Sequence, residues 1–219
     1  MVTEGENTLR IDIKWPENAM FQTKKYRDAR VEAHNALFWM ARASHSFLEP
    51  TLNNSHLSLF WNEDNCDFRT RLFVDGCQIG LHLPDLELYF CDNEEKVPHS
   101  FWLDDRTPAF VEAWYLVEFL HRGIEQGKFS TALPFASPDM LMGDTEDHNA
   151  SLFKTELTAM SECLSYAINI LRVVADQLAR HKNFTSNPSE ITLEPQSFTL
   201  MTRADLSTAH GKTVWVGFS

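Results

Sequence analysis

The sequence predicts an α+β fold in which antiparallel sheets of hairpins pack against two or three amphipathic helices. Three observations predict this class: short segments that alternate apolar and polar residues, turn residues between them, and a long helical pattern over residues 149–182. Strands that follow one another in runs favour α+β over the regular strand–helix alternation of parallel α/β proteins. The length predicts a single domain, 1–219. A similar order of elements in residues 8–127 and 128–219 leaves two similar halves as an alternative.

The chain begins with a predicted strand and a predicted helix. Residues 8–15 alternate strictly between apolar and polar side chains, which is typical of a half-buried strand, and Pro16 ends it. Residues 24–48 contain neither Gly nor Pro and are rich in Ala and Arg. This composition predicts a helix that ends before Pro50.

A meander of antiparallel strands is predicted next. Its five strands cover residues 55–61, 68–74, 77–83, 86–91 and 97–103. Asn and Asp, which favour turns, are frequent between the strands, and an Asp-Gly pair precedes the third strand. Consecutive strands joined by such short turns predict antiparallel hairpins.

A second helix is predicted to begin at Thr107, a natural N-cap, with Pro108 at the first helical position. We expect Gly123 or Gly127 to end it. A spacing of three and four residues predicts that one apolar stripe of this helix is buried. The stripe consists of Phe110, Ala113, Trp114, Val117 and Leu120 or His121.

The longest predicted element is the helix over residues 149–182, in which large apolar residues recur every three or four positions. We expect Asn149 or Asp147 to cap its start, where the helix dipole favours acids. A hairpin formed by residues 196–206 and 212–219 is predicted after it.

Composition excludes several classes of function. The formal net charge is −12 and no basic stripe interrupts the acids, so neither nucleic acid nor an anionic membrane is expected as a partner. Without a signal peptide or a run of about 20 apolar residues, a cytoplasmic location is expected. The four Cys are widely spaced and predict free thiols. No GxGxxG or Walker loop is present, so no cofactor is predicted.

A cluster of potential metal ligands occurs in the sequence MGDTEDHN. Asp144, Asp147 and His148 form the metal-binding alternative for this stretch. The acids do not follow the alternating register of a calcium loop, and only one His is near, whereas transition-metal sites usually use several His or Cys ligands. The sequence therefore favours helix capping over a metal site here.

Two arginines on one strand are the predicted ligand-binding residues. Arg69 and Arg71 are two positions apart and so lie on the same face of the predicted strand, with Thr70 opposite. Two aligned guanidinium groups can clamp a carboxylate or a phosphate. The alternative is that both arginines pair with acids on neighbouring strands.

The leading functional hypothesis is a protein that binds a small molecule or a protein partner, without catalysis, through an aromatic-rich sheet. The alternative is an enzyme with a dispersed acid–base or metal site, for which the catalytic candidates are His56, His82 and Asp85, together with the two arginines. A homodimer in which the helix over residues 149–182 pairs with its symmetry mate is compatible with either hypothesis. All of these rest on the interpretation that acids and histidines are scattered and not gathered.

Overall fold

In the residues that it describes, a computed structural model of the chain has three α-helices and an antiparallel sheet, which confirms the α+β prediction. The structure describes residues 19–73, 76–137, 140–144, 146–180, 184–206 and 213–218, and, from residue 184 onwards, the side chains of residues 191–202, 216 and 217. The predicted strand over residues 8–15 and the predicted turn between the last two strands lie outside the described residues.

Helix α1, Lys24–Phe47, agrees with the prediction to within one residue. Its N-cap is Thr23, whose Oγ1 accepts a hydrogen bond from the backbone N–H of Tyr26 at 3.1 Å. This bond satisfies one of the N–H groups that the first helical turn leaves without a partner. The helix ends at Leu48, where the backbone becomes extended two residues before Pro50.

Nine strands in the described residues form one antiparallel sheet. Their order across the sheet is β5-β4-β3-β2-β1-β7-β8-β9, and β6 pairs with β4. The strands are β1 (Leu59–Asn62), β2 (Asp67–Arg69), β3 (Cys77–His82), β4 (Glu87–Asp92), β5 (Glu95–Lys96), β6 (Phe101–Trp102), β7 (Phe184–Glu194), β8 (Thr199–Leu206) and β9 (Thr213–Phe218). The predicted meander is therefore present, and β1 joins it to the C-terminal strands through its pairing with β7.

Three predicted strands differ from the observed ones. The strand predicted over residues 68–74 is observed only as β2, Asp67–Arg69. The segment predicted as a strand over residues 55–61 begins as a 3-10 helix, Ser55–Leu57, and only its second part enters the sheet as β1. The segment predicted over residues 97–103 contributes only β6, because β5 lies before it and a loop separates the two.

The two faces of the sheet have different environments. On β3, Ile79 and Leu81 are fully buried in the hydrophobic core, while Gln78, Gly80 and His82 lie on the opposite face, as the two-residue period of a strand requires. We call the first the core face and the second the polar face. The three helices contribute to the same continuous core as the core face.

Helix α2, Pro108–His121, has the predicted start, and the chain turns after it through Gly123, whose φ is +66°. Its predicted buried stripe is wrong. Phe110, Val117 and Leu120 are exposed, at 59%, 48% and 64% of their surface. The buried side consists instead of Pro108, Val111, Tyr115, Glu118 and Phe119. The helix is apolar on almost every side, so its periodicity does not identify which side faces the core.

Helix α3, Lys154–Ala179, follows a short 3-10 helix, Ser151–Phe153. The predicted cap is wrong, since neither Asn149 nor Asp147 caps this start. The carboxylate of Asp104, which lies between β6 and α2, accepts a hydrogen bond from the backbone N–H of Ser151 at 2.8 Å. An acid from another part of the chain therefore caps the 3-10 helix that leads into α3, and α3 itself begins after Phe153 without a side-chain cap.

Residues Ser151–Ala179 are long and apolar enough to cross a membrane by length and composition alone, and half of the most apolar window is buried within the protein. Helix α3, which makes up most of this range, contributes ten buried residues to the protein and packs against β7, β8 and α1. Its apolar face is therefore occupied within the chain, and the homodimer through this helix stays a prediction.

The hypothesis of two similar halves also stays a prediction. Helix α1 precedes β1, β2 and β3, and helix α3 precedes β7, β8 and β9. The strand order places β1 beside β7, with the two sets of strands extending outwards in opposite directions. The sheet is continuous across the predicted boundary between the halves.

Candidate functional site

An open cleft of about 650 Å³ lies between the polar face of the sheet and the segment that follows α1. Its polar lining consists of Glu49, Thr51, Ser55, His56, Arg71 and Gln78. The cleft thus brings together His56, a candidate for the predicted enzyme site, and Arg71, half of the predicted ligand clamp. A concave site of this size with a few polar groups is typical of small-molecule sites.

Arg71 follows the end of β2 and extends across the sheet towards the cleft. Its Nε donates a hydrogen bond to the carbonyl oxygen of Ser55 at 3.1 Å, and its guanidinium lies over the ring of Phe60 at 5.2 Å from the centroid. Within the described part of the chain its two terminal amino groups have no hydrogen-bond acceptor. The stacking and the Nε bond hold the guanidinium in place while leaving those two groups for a ligand.

Arg69 has different partners. Its guanidinium donates to both carboxylate oxygens of Asp67, at 3.3 and 3.4 Å, and to the carbonyl oxygen of Glu94 at 3.2 Å. Burial alone would lower the pKa of Arg69. The hydrogen bond with Asp67 and the negative charge of Asp67 have a larger combined effect, so the pKa of Arg69 is raised. Among the two predicted clamp residues, only Arg71 lines the cleft. A clamp that uses both arginines stays a prediction.

Asp67 is fully buried on the polar face and has a second partner in Tyr89, whose hydroxyl donates a hydrogen bond to Oδ2. Tyr89 is on β4, and its side chain crosses β3 above Gly80 to reach Asp67 on β2. Burial raises the pKa of Tyr89, and the hydrogen bond and the charge of Asp67 raise it further. The tyrosine is therefore a neutral donor that helps to hold Asp67 beside Arg69.

His56 is 4% exposed and lies where the 3-10 helix meets the cleft. Its Nδ1 accepts a hydrogen bond from the backbone N–H of Thr51 at 3.3 Å, whereas its Nε2 is buried without a hydrogen-bond partner in the described structure. Burial lowers the pKa of His56, and the nearby His45 lowers it further. A neutral imidazole is favoured at this end of the cleft.

The other two enzyme candidates meet elsewhere. His82, at the end of β3, forms a hydrogen bond with Asp85 in which Nδ1 and Oδ1 are 2.5 Å apart. Glu87 lies opposite His82 in the β3–β4 register and completes a trio whose ligand atoms lie within 4.8 Å of one another. His56 contacts Thr51 and not this pair. The structure brings His82 and Asp85 together but does not place His56 beside them. A site formed by all three candidates stays a prediction.

The acidic stretch before α3 has a different arrangement from the metal-binding alternative. His148 is fully buried, and its Nδ1 is 3.1 Å from the carboxylate of Glu32 on α1. Asp144 and Asp147 are exposed, and Asp144 accepts a weak hydrogen bond from Thr107 at 3.4 Å. In the described residues, neither group of three potential metal ligands contains Asp144, Asp147 or His148.

A second trio was not predicted from the sequence. The ligand atoms of His99, Glu118 and His121 lie within 4.8 Å of one another, with His99 before β6 and the other two on α2. Two groups of three potential ligands therefore lie close together in the described residues. The interpretation that acids and histidines are not gathered around an ion or in a closed cleft stays a prediction. The signal in the sequence was Glu-x-x-His at residues 118–121, a spacing that places both side chains on one face of a helix.

The comparisons with known proteins provide no relative from which a function can be transferred. No protein-family model, curated protein or solved structure matches the chain.

Proposed function

We propose that this protein binds a small molecule that combines an apolar body with a carboxylate or phosphate group. The observation that carries the proposal is the cleft of about 650 Å³ in which the terminal amino groups of Arg71 are free of described partners. Such a volume accommodates a ligand of the size of a typical metabolite.

The lining matches the two parts of such a ligand. Leu48, Phe60 and Leu72 provide apolar surface, and Leu72 is 53% exposed, so a bound apolar group would remove it from water. Arg71 provides the charge-assisted hydrogen bonds that recognise an anion. Glu49 also lines the cleft, so we expect the anionic group on the side of Arg71.

The proposal is tested with benzoate and phenyl phosphate as anionic probes and benzamide as a neutral analogue of benzoate. We expect the anions to bind wild-type protein and the Arg71→Ala variant to bind them about tenfold to a hundredfold more weakly, because hydrogen bonds to charged groups contribute about 1.5–3 kcal/mol. Ligand-observed NMR measures the affinities, and added salt is expected to weaken anion binding.

Arg106→Ala is the matched control, because Arg106 is also exposed and also lies near an aromatic ring, that of Phe110 at 5.9 Å, but does not line the cleft. It should bind the probes as wild type does. Equal binding by Arg71→Ala, or benzamide binding as tight as benzoate binding, would contradict the proposal. The protein-partner half of the sequence prediction and the enzyme alternative stay predictions.

A further inference from the structure

We propose that His99, Glu118 and His121 form a binding site for a divalent transition-metal ion such as Zn²⁺. The site is independent of the ligand cleft. It would take two imidazole nitrogens and one carboxylate oxygen from the protein, a set that transition metals prefer and that Mg²⁺ and Ca²⁺ do not.

The distances are close to those that one ion requires. The Nδ1 atoms of His99 and His121 are each 3.8 Å from Oε1 of Glu118. Two ligand atoms bonded to one zinc at about 2.0–2.2 Å can be at most roughly 4.2 Å apart. Both histidine–glutamate separations already satisfy this limit. The two imidazoles are more than half exposed, so small rotations can bring their nitrogens to the ion.

Glu118 is held in the orientation that a metal ligand needs. Its side chain is only 5% exposed, and Arg122, one helical turn later, donates from Nη1 to Oε2 at 2.5 Å. The guanidinium of Arg122 lies over the ring of Phe90 at 4.2 Å and so has little freedom to move. Oε2 is thus occupied, and Oε1 is the oxygen that faces the two histidines. Groups behind a ligand that orient it in this way are typical of metal sites.

His99 is fixed in the same place by its backbone. The indole Nε1 of Trp114, one turn before Glu118 on α2, donates to the carbonyl oxygen of His99 at 3.3 Å. Trp114 stacks on Phe101 at 5.4 Å, which anchors the loop at the start of β6. The loop therefore lies across the helix face that carries Glu118 and His121.

The local charge favours a cation. With neutral imidazoles, the group contains one positive charge, on Arg122, and two negative charges, on Glu118 and on Asp92, whose carboxylate is 3.5 Å from Arg122 Nε. No described acid other than Glu118 forms an ion pair with His99 or His121. A metal dication would therefore bind beside a net negative charge.

The trio of His82, Asp85 and Glu87 is less suitable for the same ion. It offers one imidazole, and both of its acids already pair with lysines: Asp85 with Lys154 at 3.5 Å and Glu87 with Lys96 at 2.7 Å. A metal ion would have to displace these lysines. This trio therefore provides a matched control.

The test is calorimetric titration of Zn²⁺ into protein prepared without a polyhistidine tag, treated with a chelator, and alkylated at its accessible thiols. We expect one ion per chain, and each of His99→Ala and His121→Ala to weaken binding by at least about tenfold, which is the lower end of the effect of altering even the outer shell of a metal site. His82→Ala should leave the affinity unchanged. Circular dichroism checks that the variants fold, as their exposed positions lead us to expect.

Three results would overturn the proposal: no zinc binding by wild-type protein, unchanged affinity in both His99→Ala and His121→Ala, or loss of binding in His82→Ala alone. As a second readout, the histidine ring resonances of His99 and His121 should shift on addition of Zn²⁺, and that of His82 should not. Shifts confined to His82 would assign the ion to the other trio.

Discussion

At Gly80, a single added methyl group would collide with the ring of Tyr89. A Cβ atom at this residue would lie 2.7 Å from the hydroxyl oxygen of Tyr89 and closer still to its ring carbon Cζ. Gly80 and Tyr89 are directly opposite in the β3–β4 register. The backbone conformation at Gly80 is one that alanine can adopt, because its φ is outside the positive range. Space for the tyrosine ring is therefore what requires glycine here.

The expected cost of Gly80→Ala is the difference between two terms. Overpacking costs about 1–3 kcal/mol, since the ring must leave a position fixed by its hydrogen bond to Asp67. Replacing glycine within a strand stabilises by about 0.5–1 kcal/mol, which offsets part of that cost. Mid-range values of about 2 kcal/mol for overpacking and about 0.75 kcal/mol for replacing glycine leave a net loss of about 1 kcal/mol, which lowers the melting temperature of a chain of this size by about 2–4 °C.

A double-mutant cycle with Tyr89→Ala isolates the contact, with the free energy of unfolding measured by urea denaturation. Without the ring, Gly80→Ala should be neutral or slightly stabilising, so the coupling should equal the overpacking cost. A Gly80→Ala variant as stable as wild type, or one equally destabilised in the Tyr89→Ala background, would refute the reasoning. Either result would also contradict the position of the Tyr89 ring over Gly80, through which its hydroxyl reaches Asp67.

Three further predictions concern the cap before α3, the buried histidine and the thiols. Asp104→Ala should lower the free energy of unfolding by about 1 kcal/mol, because the N–H of Ser151 at the start of the 3-10 helix loses its acceptor, and Asp104→Asn should restore most of the loss. An unchanged urea midpoint in Asp104→Ala would contradict this role of Asp104. The pKa of His56 is lower in the folded state, so as the pH falls the unfolded state binds a proton before the folded state does. The free energy of unfolding should therefore decrease as the pH falls below about 6.5, the usual pKa of histidine, towards the lowered pKa. His56→Gln should reduce this decrease between pH 7 and pH 5, and a pH profile identical to that of wild type would exclude His56 as a contributor. Burial raises the pKa of Cys77 to about 12 and also raises that of Cys91, so iodoacetamide should modify these two thiols only after unfolding, and rapid native labelling at either, read by mass spectrometry, would contradict their burial.

The elements that could be predicted from the sequence are those with a clear period. Helices α1 and α3 and the strands β3 and β4 each occur within one to a few residues of their predicted ranges, apart from the cap before α3. That cap could not be predicted because Asp104 is 47 residues from Ser151 along the chain. Local helix-capping preferences favour Asn149 and Asp147, whereas in the folded chain the acceptor is Asp104, which tertiary packing brings close.

The candidate sites also differ in how far they could be predicted from the sequence. His82 and Asp85 are three residues apart, and Glu87 lies opposite His82 in the β3–β4 hairpin. A correct prediction of the hairpin register would therefore place all three residues together. The cleft could be predicted only in part, because Arg71 and His56 come from segments whose relative position depends on a 3-10 helix that the alternating pattern concealed. A 3-10 helix of three residues makes a single turn, which is too short to show its three-residue period and so cannot be told from the start of a strand in the sequence.

In the trio of His99, Glu118 and His121, the directions of the two side chains on α2 depend on the phase of that helix. Consecutive helical residues differ in direction by about 100°, so assigning Val117 to the core in place of Glu118 rotates the helix by about that angle. The assignment was natural, because valine is usually buried and glutamate is rarely buried without a partner. Here the partner is Arg122, four residues later, which makes the burial of Glu118 tolerable. In α2 the ion pair with Arg122 therefore allows Glu118 to face inward, and the same phase exposes Val117 and Leu120.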